Sequence, residues 1–416
     1  MARNARKKSK TDIYHVMHNG IKREEMNSEL TPVHTFTHDE EMNREPSPVH
    51  RTTKIIAFYL PQFHTIPEND SWWGKGFTDW TNVKKARPIF NGHQQPKIPQ
   101  GDNYYDLSSP ETIRWQAQLA NKYDIYGFCF YHYWFNGKLL LEKPAELLLQ
   151  NPDIPLRFCF SWANEPWART WDGKSHQILM DQEYGNEDDW VKHFEYLLPF
   201  FKDERYIKEK GQPILLIYKS QAIHCAKEMM DCWKKLAIKA GFPGLHFVET
   251  LRSRHQDSRN LPFAARVEFE PARTQMFQSL WKLNYNRIRR RIIKVLNAVF
   301  GTSIPYNRPQ SFRQIASLSL KTLSPTGTYG GVFMGWDNTP RKGLAGNVIF
   351  PPTKQEFEKY LSEKLAITTE IYKTEYIFVN AWNEWAEGTV LEPDKENGYS
   401  YLEAIQEVLC KETHND

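Results

Sequence analysis

Glu384 and Glu387 lie three residues apart in the segment YIFVNAWNEWAEGTVLEPD, with Trp382 and Trp385 beside them. Paired carboxylates among indoles suit chemistry on sugars. One carboxylic acid protonates the departing oxygen while the other acts on the sugar side of the bond. An indole face stacks on the apolar face of a sugar ring. The competing reading is a solvated or salt-bridged loop in which neither glutamate meets a substrate. A further carboxylate, Glu165, stands in SWANEPWARTW among Trp162, Asn164, Trp167 and Arg169. Glu165 is the rival catalytic acid. The chain carries no HExxH, no CxxC, no GxSxG elbow and no GxGxxG or Walker loop after its first apolar run. A site without metal or cofactor is therefore expected.

The elements that must position these groups are readable as short apolar runs. KIIAFYL, IYGFCFYHY, LRFCFSWA, PILLIY, LHFVET, ARVEFE, GGVFMGW and YIFVNAW recur along the chain. Near-continuous apolar runs imply strands buried on both faces, as in a parallel sheet. Between most of them lie helix-like segments, such as SPETIRWQAQLANKY, which opens with Ser-Pro and a first-turn Glu. Alternation of eight strands with helices predicts an α/β fold, a single (β/α)8 TIM-type barrel over residues 51–410. The gap between LHFVET and ARVEFE is short enough for its helix to be degraded, and residues 272–328 are expected to carry an insertion. Residues 1–50 are polar, without apolar periodicity, and are expected to form a disordered tail.

Active sites of such barrels form at the C-terminal strand ends. In chain order, the runs end in Gln62 and His64; His132, Tyr133 and Trp134; Trp162, Asn164, Glu165 and Trp167; Glu249; Glu268 and Glu270; Trp336 and Asp337; and Asn383, Glu384, Trp385 and Glu387. Of these, His64, His132, Tyr133, Trp134, Trp162, Asn164, Glu165, Trp167, Trp336, Asp337, Asn383 and Trp385 are the candidates for substrate binding around the catalytic pair Glu384 and Glu387. His64 and His132 either touch the substrate or belong to the wall.

Composition excludes other classes. The 54 basic and 50 acidic side chains leave a net charge of +4, which gives no case for a nucleic-acid protein. The 14 tryptophans serve either a large aromatic core or ligand stacking. The five cysteines are scattered and suggest no disulfide framework. The basic N-terminus MARNARKKSK lacks a following apolar segment, so it does not read as a secretory signal. The apolar runs are too short to span a bilayer, and a cytoplasmic chain is expected. LNYNRIRRRIIKVLNAVF, with Arg287, Arg289, Arg290, Arg291 and Lys294 among Ile288, Ile292, Ile293 and Leu296, reads as a basic amphipathic helix. It is either a solvated face or a peripheral contact, through Arg287–Lys294, with an anionic membrane or a lipid-linked glycan at the inner face of the membrane.

FYLPQFHTIPENDSWWGKGFTDWTNV, FNGHQQPKIP, YGFCFYHYWFNGKLLLEKP, FCFSWANEPWARTWDG and NAWNEWAEGTVLEPD together resemble WbsX-type proteins of bacterial surface-polysaccharide (O-antigen, capsule, lipopolysaccharide) gene clusters. Those are similar to glycoside hydrolase family 99. The resemblance covers roughly residues 53 to 405. It implies a (β/α)8 endo-acting, retaining enzyme acting on α-linked manno-configured sugars. It further implies that the 2-hydroxyl of the sugar attacks its own anomeric carbon, giving a 1,2-anhydro sugar. By position Glu384 would deprotonate that hydroxyl. Glu387 would protonate the glycosidic oxygen and later activate water or an acceptor. Ala386 departs from the family 99 pattern, which has histidine there. The substrate would be an oligosaccharide or lipid-linked glycan. Two alternatives stand beside this: a sugar-nucleotide-dependent glycosyltransferase, for which Asp181-Gln182-Glu183 is a weak stand-in for DxD, and a non-catalytic glycan-binding scaffold.

Overall fold

The computed structural model describes residues 53–169, 177–252, 257 and 259–414; the expected tail, residues 1–50, lies outside them. All eight apolar runs form strands: β1 (Lys54–Tyr59), β2 (Ile125–Phe135), β3 (Phe158–Trp162), β4 (Gln212–Ile217), β5 (His246–Leu251), β6 (Ala265–Glu268), β7 (Thr328–Phe333) and β8 (Tyr376–Asn380). They pair in parallel and in sequence order. β1 then pairs with β8 as well, with Ile56 opposite Phe378, and the sheet closes. The strands are buried almost throughout because the interior packs one face and helices cover the other.

The covering helices start where side chains can satisfy their free amides. Ser109 caps Pro110–Lys122 by accepting from the Glu111 amide, and Pro110 supplies a preset first-turn φ. Thr353 and Glu356 form a reciprocal capping box on Lys354–Ala366. The helices Lys143–Gln150, Glu187–Lys202 and Ala226–Lys239 cross between β2, β3, β4 and β5. Between β5 and β6 no helix occurs among the described residues. Residues 272–328 hold the helices Ala272–Met276, Leu280–Phe300 and Phe312–Lys321.

The strand period of two sorts consecutive residues onto opposite faces. On β2, Tyr131 and Tyr133 reach the cavity at the barrel mouth. His132 and Trp134 point the other way, onto His193 of Glu187–Lys202. A buried ion-pair cluster lies in the outer layer. Lys364 Nζ stands 2.8 Å from Glu268 Oε2, and both side chains are fully buried. Arg273 approaches Glu268 at 3.4 Å, and the Tyr372 and Ser324 hydroxyls donate to it. Burial pushes the Glu268 carboxyl up, but Lys364 and Arg273 outweigh it and hold the group below the usual range.

Candidate active site

A cavity of about 460 Å3 opens at the C-terminal ends of the strands. Tyr131, Tyr133, Trp167, Tyr218 and Trp336 supply its aromatic wall, while Glu165, Arg252, Arg341, Glu384 and Glu387 supply its charge.

The glutamate pair follows β8 on a turn held from several sides. Asn383 accepts from the Leu60 amide at 2.7 Å and donates to the Leu60 carbonyl at 3.0 Å. An amide side chain can do both, so Asn383 fastens the loop to the end of β1 as a strand neighbour would. After Glu387 the chain reverses at Gly388, with φ 64°. A Cβ there would lie 2.8 Å from Cβ of Asp337, so the turn requires glycine on both steric grounds.

Arg341, from the short helix Thr339–Lys342, gathers the carboxylates. Its guanidinium donates to Glu387 Oε1 at 2.7 Å, to Glu384 Oε2 at 3.3 Å and to Asp79 Oδ2 at 2.8 Å. Asp79 opens the helix Asp79–Lys85 and is itself fully buried. Three carboxylates thus face one buried cation. Burial pushes the Glu384 carboxyl up to about 8; Arg341 pulls against this, and Glu387 and Asp79 add to it. Burial thus favours a proton on Glu384, and that proton must leave before Glu384 can act as a base.

Glu165 stands across the cavity in a different setting. Its Oε1 lies 2.9 Å from Lys219 Nζ and 3.2 Å from Arg252 Nη1. Partial burial raises its carboxyl, but Arg252 and Lys219 together hold it below the usual range. A doubly ion-paired carboxylate is poorly suited to donate a proton. Arg252 also lies over the Tyr218 ring at 3.9 Å.

Of the residues expected from sequence to bind substrate, the fold brings Tyr133, Glu165, Trp167 and Trp336 to the cavity with Glu384 and Glu387. Others lie behind its lining. His132 and His193 share a hydrogen bond of 2.8 Å, and burial pushes His132 down to about 3. Trp134 stacks on His193, and Trp162 packs against Trp233 of the helix Ala226–Lys239. His64 is buried, which pushes it down to about 4. Asn164 clamps the Lys219 backbone from both its amide atoms. Asp337 accepts from His93 at 2.7 Å and Gln95 at 2.6 Å, as well as from Thr339. Trp385 is buried and donates to Glu392 at 2.7 Å.

Sequence reasoning missed Arg341, Asp79, Arg252 and Tyr131. Arg341 follows Trp336-Asp337 within five residues, so that loop carried a signal; Asp79 lies within the stretch FYLPQFHTIPENDSWWGKGFTDWTNV, but nothing in its spacing marked it as a site residue. Among the described residues no group of three or more His, Cys, Asp or Glu is arranged to hold a metal ion. No helix there is long and apolar enough to cross a membrane.

A family model described as Glycosyltransferase WbsX matches residues 55–405. Curated relatives include Uncharacterized protein WxcX from two strains of Xanthomonas campestris pv. campestris, 36% identical over 362 residues. The match covers 86% of this chain and 50% of the relative, so the chain spans about half the length of the curated relatives it matches. The GH99 endo-alpha-mannosidase from Bacteroides thetaiotaomicron has 15% identity and a TM-score of 0.50, covering 86% of this chain and 97% of that one. A glycoside hydrolase-like protein has 13% identity and a TM-score of 0.54, covering 89% and 98%. At such identities the likeness is one of fold.

Proposed function

The chain belongs to the WbsX family, and from that premise we propose a glycan-active enzyme of bacterial surface-polysaccharide metabolism that cleaves or transfers α-linked manno-configured sugars. The observation that carries this reading is the Arg341 cluster, which gathers Glu384 and Glu387 at an aromatic-walled cavity. The pair acts on adjacent atoms of one sugar. In the reactive form the pair carries its one proton on Glu387, and the Glu384 carboxylate takes the proton of the 2-hydroxyl while O2 attacks the anomeric carbon, forming a 1,2-anhydro sugar. Glu387 gives its proton to the glycosidic oxygen as that bond breaks. In the second half, Glu387 takes a proton from water or an acceptor hydroxyl. That oxygen opens the anhydro ring at the anomeric carbon, and O2 regains its proton from Glu384.

This cycle needs a carboxyl pair that holds one proton between its members, a condition that burial and like charge favour. Arg341 supports it by pulling the Glu384 carboxyl down against its burial. The 2-hydroxyl must be trans to the leaving group, which α-manno and α-rhamno sugars satisfy. Ala386 is buried and offers no polar contact, so the glycan need not be the one that family 99 enzymes take.

The family description favours a second reading, transfer from a sugar nucleotide. One experiment separates them. Product release is measured from α-mannan and rhamnan oligosaccharides, free and lipid-linked, and from sugar nucleotides with the same acceptors. Glu387→Gln is expected to lose about 10²–10⁴-fold of the activity on α-linked glycans, with Glu165→Gln retaining most of it. Loss confined to Glu165→Gln would move the acid to the end of β3. Turnover with sugar nucleotides alone would favour the transferase.

A further inference from the structure

The 21-residue helix Leu280–Phe300 presents an apolar stripe to solvent. Ile288, Ile292, Val295 and Val299 follow an i, i+4, i+7, i+11 spacing and are 57%, 53%, 60% and 68% exposed; Phe300 extends them at 70%. Half of the large hydrophobic residues exposed among those described fall within residues 285–304. The helix already has a protein-facing side, formed by the half-buried Asn286, Arg289, Ile293 and Leu296. The stripe is a second apolar face. Along its other edge run the exposed Arg287, Arg291 and Lys294.

Charge in this part of the chain is one-sided. Residues 271–336 contain ten Lys or Arg and no Asp or Glu, although the whole chain is nearly balanced. An exposed apolar stripe flanked by cations, without a single anion, is the pattern of a helix lying in the plane of an anionic bilayer surface. The helix is also tied to the segment that follows Arg341. Arg290 donates to Asn307 at 2.5 Å, and Asn307 donates to the carbonyls of Ala345 and Gly346 at 3.1 and 2.9 Å. The Tyr306 amide donates to the Leu344 carbonyl at 2.9 Å. These bonds brace residues 344–346, the segment that follows the short helix carrying Arg341.

We infer that Leu280–Phe300 docks on an anionic lipid surface, its Ile288–Val299 stripe in the acyl–headgroup boundary and Arg287, Arg291 and Lys294 on the headgroups. The Arg341 loop is thereby held close to the bilayer, where a lipid-linked glycan would be presented; that last consequence rests on the proposed glycan activity. The test needs no substrate, so its outcome is independent of that activity. The full chain is sedimented with vesicles of phosphatidylcholine and with vesicles in which about a third of the lipid is phosphatidylglycerol.

Binding to the anionic vesicles at least about tenfold above the neutral ones, falling as salt is added, is expected. Ile292→Glu with Val295→Glu is expected to lower it at least about tenfold, and Arg287→Glu with Arg291→Glu likewise. All four positions are exposed, so thermal melting of the variants should match wild type. Equal binding to both vesicle types, or binding untouched by Ile292→Glu with Val295→Glu, would overturn the inference. So would absent vesicle binding together with a dimer that these two changes convert to monomer, since a second copy would then cover the stripe.

Discussion

Arg341 faces three carboxylates, and that imbalance sets how the site should respond to pH. With Glu384 raised to about 8, its role can be read from the limb of a pH profile. If Glu384 is the base, kcat/KM rises with pH and levels off above about 8; an acid role gives the opposite slope. A rising limb that vanishes in Glu384→Gln is the expected result. Stability carries the same signature with its own sign. Between the ordinary carboxylate range and pH 8, folded Glu384 binds a proton that the unfolded chain has released. Its contribution is therefore fully present at low pH and is lost as pH rises through that window. Glu392, which burial raises to about 7, adds to the decline. Glu384→Gln is expected to flatten the fall in Tm from about pH 5 to about pH 8, as measured by calorimetry. An unchanged slope would place the proton elsewhere.

At the scale of the element, the loop that carries the glutamate pair depends on being fastened to a strand far away in sequence. Asn383→Ala leaves the Leu60 amide and carbonyl without their buried partner. A loss of about 2–4 kcal/mol in urea unfolding is expected, with kcat falling more than KM because the loop carries Glu384. Intact stability would mean that Leu60 finds another partner. The same scale explains the candidate residues that lie off the cavity. His132, Tyr133 and Trp134 are consecutive in the sequence, and alternation can bring only one parity of β2 inward. Tyr131 shares the face of Tyr133, so the period of two by itself selects Tyr131 over His132. Trp162 and Trp385 show the other role of tryptophan, filling the layer between barrel and helices. Which role a given indole takes depends on neighbours that the local pattern does not identify.

For the molecule as a whole, closure of the barrel places charge in the outer layer that must be compensated. Lys364→Met leaves Glu268 with Arg273 as its remaining cation. Removing one partner of a buried pair costs about 3–5 kcal/mol, and the lower end is expected here. Adding Glu268→Gln should recover part of that loss in denaturant unfolding. No recovery would show that the Lys364 ammonium is held chiefly by other groups. The sequence by itself determined the eight strands, because burial on both faces demands near-continuous apolar runs. It also determined where along the chain the carboxylates and indoles follow those strands. Only the tertiary structure decided which of them share a cavity. Arg341 lies 262 residues from Asp79, yet both meet Glu384 on one guanidinium. That meeting arises from the closure of β1 onto β8, a long-range geometry that the local signal in the Trp336-Asp337 loop does not contain.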